Sequence, residues 1–151
     1  MRILTCSKTA ALIGTLVFLV ASLPACAERA KNADNELPQG AVDVPRPGDV
    51  LRPGKTLVGG WALDDSGVAE IRIYLDGHYK SSARLNVARP DVAKVHPRYA
   101  RRGSIHGWNV EVDFGTSPGS HTILFQAVDD NGATRDIGIV PVVIPDPKPP
   151  G

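Results

Sequence analysis

Residues 58–77 hold two apolar, strand-like runs around one turn built from Asp64, Asp65, Ser66 and Gly67, and they close on a second turn signal, Asp76-Gly77. Ser-Gly and Asp-Gly pairs supply the positive φ angles and local side-chain bonds that tight turns require. Two short apolar runs so close to two turns leave little room for anything but antiparallel sheet. The rest of the chain repeats the pattern. Residues 108–114 alternate, with Trp108, Val110, Val112 and Phe114 on one face and Asn109, Glu111 and Asp113 on the other.

Short strands separated by turns are expected near 41–45, 56–63, 68–76, 79–87, 108–114, 121–129 and 133–144, the last interrupted by Pro141. Pro45, Pro47 and Pro53 confine the first to an edge. The turns are Ser117-Pro118-Gly119 and Asp130-Asn131-Gly132. Residues 88–106 are a long irregular segment, and no long helical period occurs. The expected fold is therefore all-β: an antiparallel β-sandwich of about seven strands, immunoglobulin-like or fibronectin-III-like. Its core should contain Ile71, Ile73, Val110, Val112, Ile123, Phe125 and Ala127.

The first residues do not belong to that fold. Arg2 and Lys8 precede an uncharged apolar run at 9–23, and small residues lead to Ala25-Cys26-Ala27. This is the order of an export signal, and the run is shorter than the ~20 residues of a spanning helix. Residues 1–27 are thus expected to be a signal peptide. Leu23-Pro24-Ala25-Cys26 resembles a lipobox with Cys26 as the lipidated residue, although Pro24 departs from the usual residue there. Cleavage after Ala27 is the alternative. Residues 28–40 read as a flexible linker, 41–144 as the sandwich and 145–151 as a Pro-rich tail. The product is expected to be exported: anchored at the outer membrane, or periplasmic or extracellular.

Cys6 and Cys26 are the only cysteines, and both lie in the leader, so packing alone must hold the domain. The charge is nearly balanced, with seventeen Lys plus Arg against sixteen Asp plus Glu, which argues against a nucleic-acid partner. The strand at 56–63 is unusual because both faces are apolar: Val58, Gly60 and Ala62 on one, Leu57, Trp61 and Leu63 on the other. Segment 88–106 is expected to fold over the second face, since large apolar patches are uncommon on soluble monomers. Otherwise Trp61 is exposed for binding.

Gly60-Trp61-Ala62-Leu63-Asp64, Ser66-Gly67-Val68 and Tyr74-Leu75-Asp76-Gly77 resemble the corresponding segments of bacterial immunoglobulin-like domains. Arg89-Pro90-Asp91-Val92, Gly107-Trp108 and Gly119-Ser120-His121-Thr122-Ile123 agree with one subgroup, in order. The resemblance implies a sandwich on an exported, often surface-attached protein, acting as spacer, adhesion or accessory module. The family shares no catalytic residues, so none is implied here, and no cofactor.

Three kinds of binding chemistry are open. Arg89, Lys94, Arg98, Arg101 and Arg102, opposed only by Asp91, could hold an anionic polysaccharide, a lipid headgroup or phosphate through Arg forks. A solvated loop tied down by an Arg89–Asp91 bond is the plainer alternative. Trp61, Tyr74, Tyr79, Tyr99 and Trp108 could supply a sugar-stacking platform, although Trp108 falls in phase with the core and Tyr74 points outward. His78, His96, His106 and His121 lack paired metal-ligand spacing, and Asp129-Asp130-Asn131-Gly132 reads as a hairpin rather than a calcium loop, so no metal is expected. A small envelope hydrolase is the remaining class. The sequence has no Gly-x-Ser-x-Gly elbow to support it. The expected partner is an envelope protein or polysaccharide, with glycan binding through the 88–106 loop and exposed aromatics as the alternative.

Overall fold

The computed structural model describes residues 36–100 and 103–146. The leader with Cys26, the linker up to residue 35, Arg101, Arg102 and residues 147–151 lie outside the described residues. Eight strands form two antiparallel sheets: β1 (Gln39–Val44), β2 (Lys55–Leu63), β6 (Ile105–Asp113) and β5 (Leu85–Ala88) in one, β4 (His78–Ala83), β3 (Val68–Leu75), β7 (Gly119–Asp129) and β8 (Thr134–Ile144) in the other. A short helix, α1 (Pro90–Val95), joins β5 to β6.

The order β1-β2-β6-β5 is the A-B-E-D sheet of an immunoglobulin sandwich, and β8-β7-β3 is its G-F-C partner with β4 added at the edge. The eighth strand arises where one was expected over 79–87. That run breaks at Arg84, so β4 pairs with β3 and β5 crosses to pair with β6 in the opposite sheet. Pro141 does not interrupt β8. Its carbonyl accepts Gly48 N–H from outside the sheet, so its nitrogen, on the same outward side, is owed no ladder bond to β7.

The core lies between the two inner faces. Val58 and Ala62 of β2, Ile71 and Ile73 of β3, Trp108 and Val112 of β6, and Ile123, Phe125 and Ala127 of β7 pack there, with Val110 partly buried against them. The Trp108 and Phe125 rings meet at 5.5 Å between centroids. The alternation expected in β3, β6 and β7 thus puts the expected residues inside.

Side chains close the turns. Asp64 Oδ1 accepts Ser66 N–H at 2.8 Å and Ser66 O–H at 2.7 Å, which fixes the β2–β3 turn. Asp76 and Gly77 both have positive φ, 48° and 81°, the geometry of a two-residue hairpin whose twist suits the flanking strands. Asp129 Oδ1 accepts Asn131 N–H and Ala133 N–H, so the Asp129–Gly132 segment is a hairpin turn.

Candidate interaction surface on the outer face of the first sheet

Trp61 is half-buried on the outer face of β2, opposite Gly107 of β6. The missing side chain at Gly107 shapes what surrounds it. A Cβ there would lie 2.8 Å from Arg89 Cγ and 2.9 Å from Val87 Cβ. Glycine therefore lets the Arg89 stem cross the sheet close to its backbone, beside Trp61.

The described residues of the segment, 88–100 and 103–106, fold back over this face, as its apolarity requires. Pro90 opens α1, where its missing N–H is no loss. Val92 from that helix and Tyr99 after it bury against Leu63, and Trp61 packs on this small cluster. The His96 ring lies 5.6 Å from Trp61 between centroids. The cover stops short of Leu57, which was expected beneath it and stands 56% exposed. Six residues of helix reach only the Trp61–Leu63 end of β2.

Charge anchors both ends of the cover. Arg89 donates to Asp91 from Nε at 3.0 Å and from an amino group at 2.8 Å, and to Asp43 of β1 at 2.6 Å. The Arg89 bond holds the Asp91 carboxyl down to about 2. The Asp91 and Asp43 bonds push the Arg89 guanidinium further up, against the opposing pull of burial. Arg98 donates to the Tyr99 hydroxyl and to Glu36, with its guanidinium carbon 4.5 Å from the Tyr99 ring centre. Gln39 also donates to Tyr99 Oη, at 2.8 Å.

The result is a shallow depression of 220 Å³ lined by Trp61, Arg89, Asp91, Val92, Val95 and His96. Its floor is apolar, and one wall is a fixed cation–carboxylate pair. Arg89 and Arg98 spend their forks on carboxylates, so they do not offer bare cations to an anion; Arg101 and Arg102 are outside the described residues.

Of the sequence-nominated residues, Trp61, Arg89 and Asp91 meet in this depression, and Arg98 lies at the margin of its cover. Tyr74 does not join them. It sits on the outer face of β3 in the other sheet, edge-on to Tyr79 at 5.8 Å. Trp108 and Tyr99 are buried. The single aromatic platform is thus corrected to two separate patches, because β2 belongs to one sheet and β3 and β4 to the other, so the rings stand on opposite outer faces. His96 and Val95 were not singled out as binding residues; the short helix that presents them has too few turns to show a period. Among the described residues, no three His, Cys, Asp or Glu side chains are grouped to hold a metal ion, and no helix is long and apolar enough to cross a membrane.

An all-β sandwich of two four-stranded sheets, with a contoured patch on one outer face, defines this molecule as an immunoglobulin-like or fibronectin-III-like fold. No family model and no curated protein matches the sequence. Among solved structures, the fibronectin(III)-like modules of Clostridium thermocellum CbhA are similar at 16% identity and a TM-score of 0.53, over 76% of this chain and 50% of that one. The chain thus spans half the length of that structure. CopC from Methylosinus trichosporium OB3b is also similar, at 12% identity and a TM-score of 0.44, over 74% of this chain and 99% of that one.

Proposed function

We propose that this chain is an exported, non-catalytic module of the cell envelope, serving as an interaction, adhesion or accessory domain, with the Trp61 depression as its contact surface. One observation carries the reading: an aromatic ring on an apolar floor stands beside an arginine already immobilised by two carboxylates. Tryptophan and arginine are enriched where binding energy concentrates, and a side chain fixed beforehand loses little entropy when a partner docks. The leader supports export, with Cys26 the lipidated residue in the anchored form. The fold itself speaks for no chemistry, since function resides in sites built on it.

A glycan-binding role is the second reading. It is favoured by Trp61 standing beside the Arg89–Asp91 pair, a ring for stacking with a donor and an acceptor at its edge. The bare-cation version of that reading is the weaker one, given where Arg89 and Arg98 spend their bonds.

Immobilised wild-type protein is exposed to envelope polysaccharide and, separately, to solubilised envelope protein. Trp61→Ala and Val95→Glu serve as the variants. The account expects one fraction to be retained by the wild type and to bind about tenfold more weakly to each variant, as for loss of an interface anchor. Equal retention by wild type and variants contradicts it.

A further inference from the structure

The cover over the first sheet stops short of Leu57, and there a second depression, of 390 Å³, opens between the start of β2 and the loop 45–54. Its volume falls in the range of small-molecule pockets, about 300–1,000 Å³. Val44, Pro45, Val50, Leu51 and Leu57 give it apolar walls. Three of these, Val44, Val50 and Leu57, are 42%, 65% and 56% exposed. The loop carries Arg-Pro-Gly twice, at 46–48 and 52–54. The first copy makes a tight turn: Pro47 and Gly48 are central, Gly48 has φ 89°, and Asp49 N–H donates to the Arg46 carbonyl at 3.0 Å. Between the copies Leu51 is buried, and its N–H donates to the Val143 carbonyl at 2.8 Å. Val143 N–H returns a bond to the Asp49 carbonyl at 3.0 Å. One wall of the depression is thus clamped to β8 in advance of any ligand.

Arg52, Lys55, Asp49 and Thr56 complete the lining. Arg52 and Lys55 are exposed, and no ion pair among the described residues uses either of them. In this they differ from Arg89 and Arg98. Their long stems leave the charged ends free to turn over the mouth of the depression. Asp49 spends Oδ2 on Arg46 N–H at 2.7 Å. Asp113, opposite Lys55 on β6, accepts Gly115 N–H at Oδ1, at 2.8 Å, and Glu111, opposite Leu57, stands outside the lining. Two cations against one carboxylate leave the lining with a single positive charge.

We infer that this depression binds a monoanionic amphiphile, an aliphatic chain bearing a carboxylate, with the chain on Val44, Val50 and Leu57 and the carboxylate between Arg52 and Lys55. Each part answers an observation. Exposed aliphatic surface against a fixed wall favours an aliphatic body, which removes that surface from water. An Arg fork and a Lys ammonium without carboxylate partners offer charge-assisted bonds to a carboxylate. The single net positive charge suits a monoanion better than a dianionic phosphate, which Asp49 would oppose. A stacked sugar would find no aromatic ring in the lining. The inference uses other residues than the Trp61 depression and stands independently of the proposed function.

The full chain is titrated with hexanoate and with Nα-acetyl-leucine, which separate a free alkyl acid from the carboxyl end of a peptide. Acetate, hexylammonium and inorganic phosphate serve as comparisons. The Val50 and Leu57 methyl NMR signals are followed, so that binding elsewhere on the chain does not register. The expected result is saturable shifts with at least one of the two acids. Binding should be about tenfold weaker or more with acetate, which lacks the chain, and with hexylammonium, which carries the opposite charge. Arg52→Gln and Lys55→Gln, both at exposed positions, should each weaken acid binding about fivefold or more. Leu57→Ser should weaken it by a similar factor through the apolar wall. No saturable shift with either acid overturns the inference. So does phosphate or hexylammonium binding as tight as that of the acids, or acid affinity unchanged by Arg52→Gln and Lys55→Gln together.

Discussion

The His96 ring lies 5.6 Å from Trp61, held there by a six-residue helix whose entry is tied to Asp43 through Arg89. The contact joins two segments far apart in sequence. It converts an apolar sheet face into a covered one with a depression at its margin. Trp61 is accordingly half-buried while Trp108 is only 1% exposed. Acrylamide should quench one of the two tryptophans partially and the other hardly at all. His96→Ala should raise the accessible fraction and leave the protected one unchanged. Equal quenching of both tryptophans in the wild type would contradict the arrangement.

Gly107→Ala should disturb this surface without touching the core. The new methyl would press on Arg89 Cγ and Val87 Cβ, at 2.8 and 2.9 Å, and one or the other must shift. A stability loss of about 1–3 kcal/mol is expected, the range for overpacking. It should come with increased quenching of Trp61. A fully stable variant with unchanged quenching would show that Arg89 does not depend on this close approach.

Phe125 has no exposed surface and packs on Trp108 across the sandwich. Phe125→Ala should cost about 3–5 kcal/mol in denaturant unfolding, as for other buried aromatics. A change under about 1 kcal/mol would place it outside the core, since surface changes usually stay near ±0.5.

His121 should titrate high. Its Nδ1 lies 2.7 Å from Asp76 Oδ2 and its Nε2 lies 2.9 Å from the Ser117 carbonyl, so both nitrogens face acceptors and the ring favours the doubly protonated form. The Asp76 bond raises the His121 pKa first, with the Ser117 carbonyl second. The His121 bond and the Thr122 N–H lower that of Asp76. The histidine's contribution to stability is thus complete below its unfolded pKa of about 6.5 and fades as pH rises through its higher folded value. The carboxylate's contribution is complete above about 3.9 and fades as pH falls through its lower folded value. The pair should therefore stabilise most between these limits. Asp76→Asn tolerates the positive φ and should lower the His121 pKa and flatten the stability profile above neutrality. An unchanged NMR titration of His121 would contradict the pairing.

The sandwich was legible in the sequence because each central strand buries one face, and a period of two is visible in as few as four residues. Ile71 and Ile73, Val110 and Val112, and Ile123 and Phe125 all declare themselves in this way. The cover over Trp61 was legible for a different reason: both faces of β2 are apolar, and only one can face the core. Three features were not legible. The crossing at Arg84 leaves no mark, since a strand that changes sheets keeps its propensity. The six residues of α1 are too few for a helical period. Tyr74 and Trp61 look equivalent along the chain, and only the topology sends them to opposite sheets.

The claim that the Trp61 depression is where this module meets its partner is tested most directly by contact in intact cells. A photoreactive amino acid replaces Val95, which is 73% exposed at the rim of the depression, and in a matched protein it replaces Ile139, which is 64% exposed on β8 of the other sheet. Irradiation should give one defined adduct with an envelope protein or polysaccharide from position 95, weakened by Trp61→Ala, and none from position 139. The same adduct from both positions, or none from position 95, would contradict the account.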